Sequence, residues 1–206
     1  MAAAAPTRCP TPTSSSPGVD APTWRKSARA AAEFGGAAGD RSRAAPGVAI
    51  RLVERTGDGG LGAGERARYE TGSHAIVLLG YAATARATPP GPAEGSAAAG
   101  RAVWRSYVVH ELAHAAIHLS CVSTCPRRAV HEYVAAVAQY ATFRRTFGRT
   151  SSAVSATSLL GGSEAEISDT YYAVDPGRFA VKSYLHYRQP QAGPEFVRRL
   201  VRGGDR

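Results

Sequence analysis

The sequence predicts an α+β fold in a single domain over residues 24–206. Short apolar and alternating runs typical of strands lie before residue 80, and two long stretches with apolar residues every three or four positions lie after residue 100. The length of 206 residues fits one domain. Hydrophobic residues make up 44% of the chain and charged residues 20%, a balance that supports a buried core.

The tail at residues 1–23 is built from Ala, Pro, Ser and Thr. It cannot bury enough apolar surface to offset chain entropy, so we expect it to be disordered. It also lacks the basic start and apolar run of a secretory signal. We therefore expect a cytoplasmic protein as the sequence is written, or a periplasmic or secreted one if its true start differs. Residues 24–45 are Ala-rich and predict a loose helix.

Three short segments predict the β-structure. Residues 47–53 alternate apolar and polar side chains, as in a half-buried strand, and the Gly/Asp stretch at 57–64 predicts a turn. Residues 68–80 then predict a hairpin that ends in a buried strand at 75–79. We expect the free edge of that last strand to accept an extended peptide.

The helical part begins after a predicted Pro/Gly/Ala loop at 82–100. Apolar residues at three- and four-residue steps predict one helix from Arg101 to Ser120. A second is predicted from Arg127 to Phe147, between Pro126 and Gly148. Residues 149–164 predict a loop, and short helices are predicted near 176–188 and 193–202.

The charge balance does not favour nucleic-acid binding. The 25 basic residues exceed the 16 acidic ones by nine, but the longest basic runs are pairs spread along the chain. A phosphate-binding face needs a clustered stripe. No run of about 18 apolar residues is present, so we expect no transmembrane segment. The oligomeric state is left open.

The strongest motif is His-Glu-Leu-Ala-His at residues 110–114. Residues four apart stack on one face of a helix, so His110 and His114 can converge on one metal ion. Glu111 is rotated about 100° from His110, where it can reach a water at the metal without ligating. This chain's composition predicts only about 0.01 chance matches to the pattern.

A catalytic zinc needs a third protein ligand and one open position. His118 continues the row, but it lies about 12 Å from His110 along a straight helix and cannot close the same site. Metzincins break the helix with a glycine and add a third histidine. The corresponding positions here are Ile117 and Ser120, which excludes that branch.

Glu132 is the favoured third ligand, because it lies early on the second predicted helix, eighteen residues beyond His114. An antiparallel helix packed on the first can present its carboxylate to the two histidines. The neighbouring His131 is the alternative ligand. Alternatively, Glu132 binds no metal and is an exposed glutamate favoured by the dipole at the start of the helix.

Cys121 and Cys125 lie between the two helices. With His118 and His131 they could hold a structural zinc, the main rival interpretation of this segment. They could instead form a short disulfide in an exported protein, or remain two buried thiols in a reducing compartment.

Residues 110–114 followed by Glu132 resemble the zincin metallopeptidases of the glutamate-ligand branch, the gluzincin or thermolysin-like group. Residues 68–78 are similar to the edge strand that precedes the active helix in these folds. Residues 183–197 are similar to the closing region of small bacterial members, many of them uncharacterised. The resemblance spans about residues 68–200, and only the five-residue motif is highly specific.

The resemblance implies a zincin-like fold and a zinc-dependent peptidase that hydrolyses peptide bonds. Zn²⁺ would be held by His110, His114 and Glu132, with Glu111 as the general base that takes a proton from the attacking water. A catalytically inactive binding module on the same fold is the alternative.

Two further roles follow from the resemblance. The oxyanion of the reaction needs a donor, and His186, Tyr184 and Tyr187 are the candidates. The acidic partner that often follows the third ligand by four residues is replaced by Ala136. We therefore expect Asp169, Asp175 or backbone carbonyls to support the zinc histidines.

Overall fold

A computed structural model describes residues 48–57, 60–87, 97–121, 125–147, 164–190 and 192–202. Within these ranges the fold is α+β, with one three-stranded sheet and several helices. The strands are β1 (Ala49–Val53), β2 (Ala67–Glu70) and β3 (Ala75–Leu79). The predicted tail, the helix at 24–45 and most of the loop at 149–164 lie outside the described residues.

The sheet order is β1-β3-β2, so β3 is the central strand. β1 pairs with β3 in parallel, and β2 pairs with β3 in antiparallel fashion through the predicted hairpin. All five residues of β3 are buried, which explains their uninterrupted apolar run. The expectation of a free edge at residues 75–79 is therefore wrong, because both edges of β3 are paired and β2 is the strand beside the helices.

Among the residues that the structure describes, six α-helices follow the sheet. They are α1 (Tyr81–Ala87), α2 (Ala97–Ser120), α3 (Arg128–Phe147), α4 (Asp169–Val174), α5 (Pro176–Tyr187) and α6 (Pro194–Val201), with a 3₁₀ turn at Glu164–Glu166 before α4. In the described part of the chain, no helix combines the length and the apolar character needed to span a membrane.

The predicted loop at 82–100 is wrong in part. α1 occupies its beginning, and α2 starts at Ala97 rather than Arg101. Both pieces are rich in alanine, the strongest helix former, and this local preference prevails on either side of the Pro/Gly stretch. The helices predicted at 127–147, 176–188 and 193–202 are confirmed to within one residue at each end.

α2 packs one face against the sheet and a second face against α3, which leaves a third face covered by neither. Trp104, Val108 and Leu112 pack against the sheet with Ile76 and Leu78. The face about 100° further round carries small residues that contact α3, so the two helices approach closely; this contact consists of Val109, Ala113, Ala135 and Ala138. A separate core, which includes Tyr133, Phe179 and Phe196, joins α3 to the C-terminal helices.

Candidate metal centre

The polar side chains of α2 project from the strip that neither the sheet nor α3 covers. At 100° per residue, His110 and His114 follow the α3-facing strip, and Glu111 lies on the side nearest the sheet. The rings of His110 and His114 are 4.8 Å apart between centroids, as expected for residues one turn apart. The helix therefore delivers both imidazoles to one side of the α2–α3 pair.

Glu132 completes the group from the second turn of α3. Its Oε2 lies 3.5 Å from Nε2 of His110 and 3.8 Å from Nε2 of His114. One ligand atom from each of the three residues lies within 4.8 Å of the other two. The predicted convergence of His110, His114 and Glu132 is confirmed as a group that can hold a metal ion.

Glu111 sits beside this group and is held by the sheet. Its side chain is only 7% exposed, and its Oε2 accepts a 2.8 Å hydrogen bond from the backbone N–H of Tyr69 on β2. Burial raises the pKa of the Glu111 carboxyl, although the charge of His110 and the Tyr69 N–H oppose the shift. The carboxyl therefore holds its proton to a higher pH than an exposed glutamate does.

The charges of the three candidate ligands depend on one another. Burial lowers the pKa of His114 to about 3, and the nearby charge of His110 adds to this effect. Burial acts against the charge on Glu132, but its contacts with His110 and His114 outweigh it and lower the Glu132 pKa. Burial also acts against the charge on His110, but its contacts with Glu132 and Glu111 outweigh it and raise the His110 pKa. Since metals bind a neutral imidazole and an ionised carboxylate, the shifts favour the ligating form at His114 and Glu132 but not at His110.

His110 is oriented by a side chain that the sequence analysis did not name. Its Nδ1 donates to Oε1 of Gln139 over 3.0 Å, and the amide of Gln139 donates in turn to Ser106. The bond leaves Nε2 of His110 facing Glu132. Gln139 lies seven residues after Glu132, two turns along the same helix. Its contact with His110 depends on how α3 packs on α2, so the sequence alone does not reveal it.

The residues expected to support the histidines act elsewhere. Asp169 accepts the backbone N–H of Ala129 near the start of α3. Asp175 accepts the N–H of Arg178 and caps α5. Both aspartates therefore stabilise helix ends, and the expectation that they support the metal histidines is not met.

The group opens into cavities on two sides. One, of about 680 Å³, is bordered by β2, by α2 as far as His118, and by Pro126 and Arg128 at the start of α3. The other, of about 600 Å³, is bordered by apolar groups from α2, α3 and α5, including Tyr107 and Phe179. His110, Glu111 and Glu132 line both cavities, so the candidate ligands lie where the two meet.

Tyr172 on α4 is the second residue that sequence reasoning missed. It lines both cavities beside Glu132, and the two side chains shift each other's pKa: Tyr172 contributes to the lowered pKa of Glu132, and Glu132 contributes to the raised pKa of Tyr172 after burial. The guanidinium of Arg128 lies 4.9 Å above its ring. A cap at Ser168, whose side chain accepts the N–H of Tyr171, signals the short helix in the sequence. Nothing local shows that the helix packs on Glu132.

His186 and Tyr184 lie away from the cavities that meet at the ligands. His186 is 4% exposed, and its Nδ1 is 2.8 Å from the hydroxyl of Tyr133 inside the C-terminal core. Tyr184 is also buried and stacks on Tyr140. Tyr187 is packed against the same core. The structure therefore does not bring these proposed oxyanion donors to the site.

The rival zinc set at His118, Cys121, Cys125 and His131 is not assembled. Cys121 and Cys125 form a disulfide, so their sulfurs are unavailable as thiolate ligands. The Nδ1 atom of His118 lies 3.2 Å from the hydroxyl of Tyr69, and His131 stacks on His114. Among the described residues, the three-residue group at Glu132 is the one that could hold a metal.

Comparison with known proteins gives a family but no described activity. The chain matches no curated protein and no solved structure. Residues 25–205, which include the candidate ligands and both cavities, match a family of unknown function, DUF6639. By this match over most of its length, the chain belongs to the DUF6639 family.

Proposed function

We propose that the protein is a zinc-dependent metallopeptidase with a zincin-like active site. The observation that carries the proposal is the meeting of His110, His114 and Glu132 beside a buried Glu111, at the junction of two cavities. Three protein ligands with one position left open are typical of catalytic zinc sites, whereas structural sites use four. Within the described residues β2 is an outer strand of the sheet, and its position next to Glu111 adds a place where a peptide backbone could pair.

The donor set fits zinc in type and spacing. Two imidazole nitrogens and a carboxylate oxygen form a common catalytic zinc set. Two ligands at about 2.0–2.1 Å from a tetrahedral ion are about 3.4 Å apart. The separations between Glu132 and the two histidines, 3.5 and 3.8 Å, are close to that value.

The chain's own groups divide the reaction between them. A bound zinc ion would supply Lewis acidity to the peptide carbonyl and make water easier to deprotonate. Glu111 takes the proton from the attacking water and passes it to the leaving amine. Tyr69 holds Glu111 through its backbone N–H, so the base is positioned before substrate arrives.

Tyr172 is suited to stabilise the oxyanion. It lines both cavities together with Glu132 and Glu111, so its hydroxyl can approach a substrate bound beside the candidate ligands. We expect Tyr172→Phe to lower kcat about 10²- to 10³-fold, with little change in zinc content. Steady-state kinetics with metal analysis checks this result. An unchanged kcat would remove Tyr172 from the reaction, and Tyr171→Phe on the same helix is the control.

Gln139 should set the strength of metal binding through His110. Loss of an outer partner of a metal histidine weakens metal binding about 10- to 100-fold. We therefore expect Gln139→Ala to raise the zinc Kd by that factor, as measured with a competing chelator. Gln139→Glu, which keeps the acceptor, should retain tight binding. Equal affinity in all three proteins would show that the bond at His110 has no such role.

The deciding experiment measures zinc content and peptide cleavage in the same preparation. We expect one zinc per chain, cleavage of an unstructured peptide mixture, loss of cleavage with a chelator and recovery when zinc returns. Cys121→Ser should keep its zinc, since the sulfurs lie outside the ligand set. Zinc without cleavage would favour the inactive binding module, and a chain that takes up no zinc would refute the proposal.

A further inference from the structure

Arg128 is a cation at the rim of the larger cavity. Its side chain is 71% exposed, and its Nε lies 3.9 Å from Oε1 of Glu132. Its guanidinium rests on the ring of Tyr172, which fixes the flat group beside the candidate ligands. Arg128 lines this cavity together with Glu132 and Tyr172. Arg128 therefore faces the site rather than bulk solvent alone.

The other charged groups that line this cavity have close partners of their own. Arg68 pairs with Glu65 across a 2.5 Å contact. Glu111 is bonded to the backbone of β2, and Glu132 belongs to the candidate ligand set. The contact of Arg128 with Glu132, at 3.9 Å, is the longest of these. Arg128 itself lines the cavity, so a ligand bound there can reach its guanidinium.

We infer that Arg128 binds a carboxylate of the substrate, so that the preferred substrate is an acidic peptide. An arginine fork matches a carboxylate with two parallel hydrogen bonds, and a ring stacked beneath it reduces the ordering cost. The carboxylate belongs to a residue close to the scissile bond, because Arg128 lies beside Glu132 rather than at the far end of the cavity. The inference rests on the proposed peptidase function.

The opposite cavity supports a single charged position. Its arginine, Arg66, donates to the backbone carbonyls of Gly64 and Glu65. Apart from Arg66 and the groups shared with the first cavity, its lining is apolar or uncharged, with Tyr107, Ala136, Pro176 and Phe179 among its members. A substrate that fills both cavities would thus carry its carboxylate on the Arg128 side and an apolar side chain on the other. A carboxylate could come from an Asp or Glu side chain or from a free C-terminus.

The test uses binding, so that it does not depend on turnover. Three peptides are titrated by calorimetry into zinc-supplemented Glu111→Gln protein: acetyl-Ala-Glu-Ala-Phe-Ala-amide, its Gln analogue, and the Gln analogue with a free C-terminus. Each titration is repeated with Glu moved through every position. Charge-assisted hydrogen bonds predict at least about tenfold tighter binding of a carboxylate peptide than of the neutral one.

Arg128→Gln should reduce that ratio to about one, and Arg128→Lys should restore only part of it. Arg105→Gln, at an exposed position of α2 outside both cavities, should leave the ratio unchanged. A gain confined to the free C-terminus identifies the terminal carboxylate as the ligand, and a gain with the Glu side chain identifies an internal acid. A ratio that survives Arg128→Gln, or no discrimination by the parent protein, overturns the inference.

The two proposals fail separately. If the wild-type chain cleaves none of these peptides but binds them with an Arg128-dependent ratio, the carboxylate site stands and the peptidase proposal falls. If cleavage occurs without dependence on Arg128, only the carboxylate site falls.

Discussion

Replacing Glu111 by glutamine should reduce kcat for peptide cleavage about 10²- to 10⁴-fold while the chain keeps its zinc. Glutamine has nearly the same shape, and its amide oxygen can still accept the N–H of Tyr69. The fold and the ligands should therefore be preserved. The amide cannot take a proton from water, so the step that generates the nucleophile is lost.

Paired kinetic and metal measurements check this expectation. Glu65→Gln is the matched control, because Glu65 lines the same cavity but pairs with Arg68 rather than approaching the histidines. Its kcat should stay close to that of the wild type. Wild-type turnover in Glu111→Gln would contradict the assignment of Glu111 as the base. Loss of zinc along with activity would instead show that Glu111 helps to hold the metal.

The second large effect concerns the third ligand. Glu132→Ala should raise the zinc Kd by more than about 100-fold, exceeding the loss expected for an outer partner such as Gln139. With two imidazoles left on one helix, the site has no charged ligand to balance the ion. The zinc-dependent rise in Tm that wild type should show would disappear in the variant, since that rise follows the affinity of the folded state.

His131→Ala discriminates between the two neighbouring candidates. His131 stacks on His114 but lies outside the three-residue group, so this variant should bind zinc nearly as tightly as the wild type. Zinc titration with a fluorescent chelator, and circular dichroism to verify folding, would settle the comparison. If Glu132→Ala binds zinc normally while His131→Ala does not, then His131 is the ligand and the proposed set is wrong.

The local part of the fold could be predicted from the sequence. Alternation and apolar runs located the hairpin, and three- and four-residue spacing located α2 and α3. The position of β1 could not be predicted in this way. β1 pairs in parallel with β3, although β2 lies between them in the sequence. Such non-local pairing depends on the packing of the whole sheet. Because β1 occupies the second edge of β3, the free edge expected at residues 75–79 is absent from that strand.

The candidate site was predictable to the extent that one helix encodes it. His110, Glu111 and His114 are fixed by helical periodicity, and Glu132 required only the assumption that two consecutive helices pack antiparallel. Gln139 and Tyr172 could not be found, because their roles arise from α3 and α4 docking on other elements. His186 was misassigned because a buried histidine that bonds a core tyrosine looks the same in sequence as one in an active site.

The hydrogen bond from the Tyr69 N–H to Glu111 joins β2, where a peptide could pair, to the residue proposed as the general base. In the antiparallel ladder, the N–H of Leu79 donates to Arg66, so the backbone groups of Ala67 and Tyr69 point away from β3. An incoming strand would find the Tyr69 N–H already bonded to Glu111. It would have to pair with other outward-facing backbone groups of β2, such as those of Ala67. In the proposed peptidase, a shift of β2 on pairing with a peptide would therefore also move Glu111, because the Tyr69 N–H joins the two.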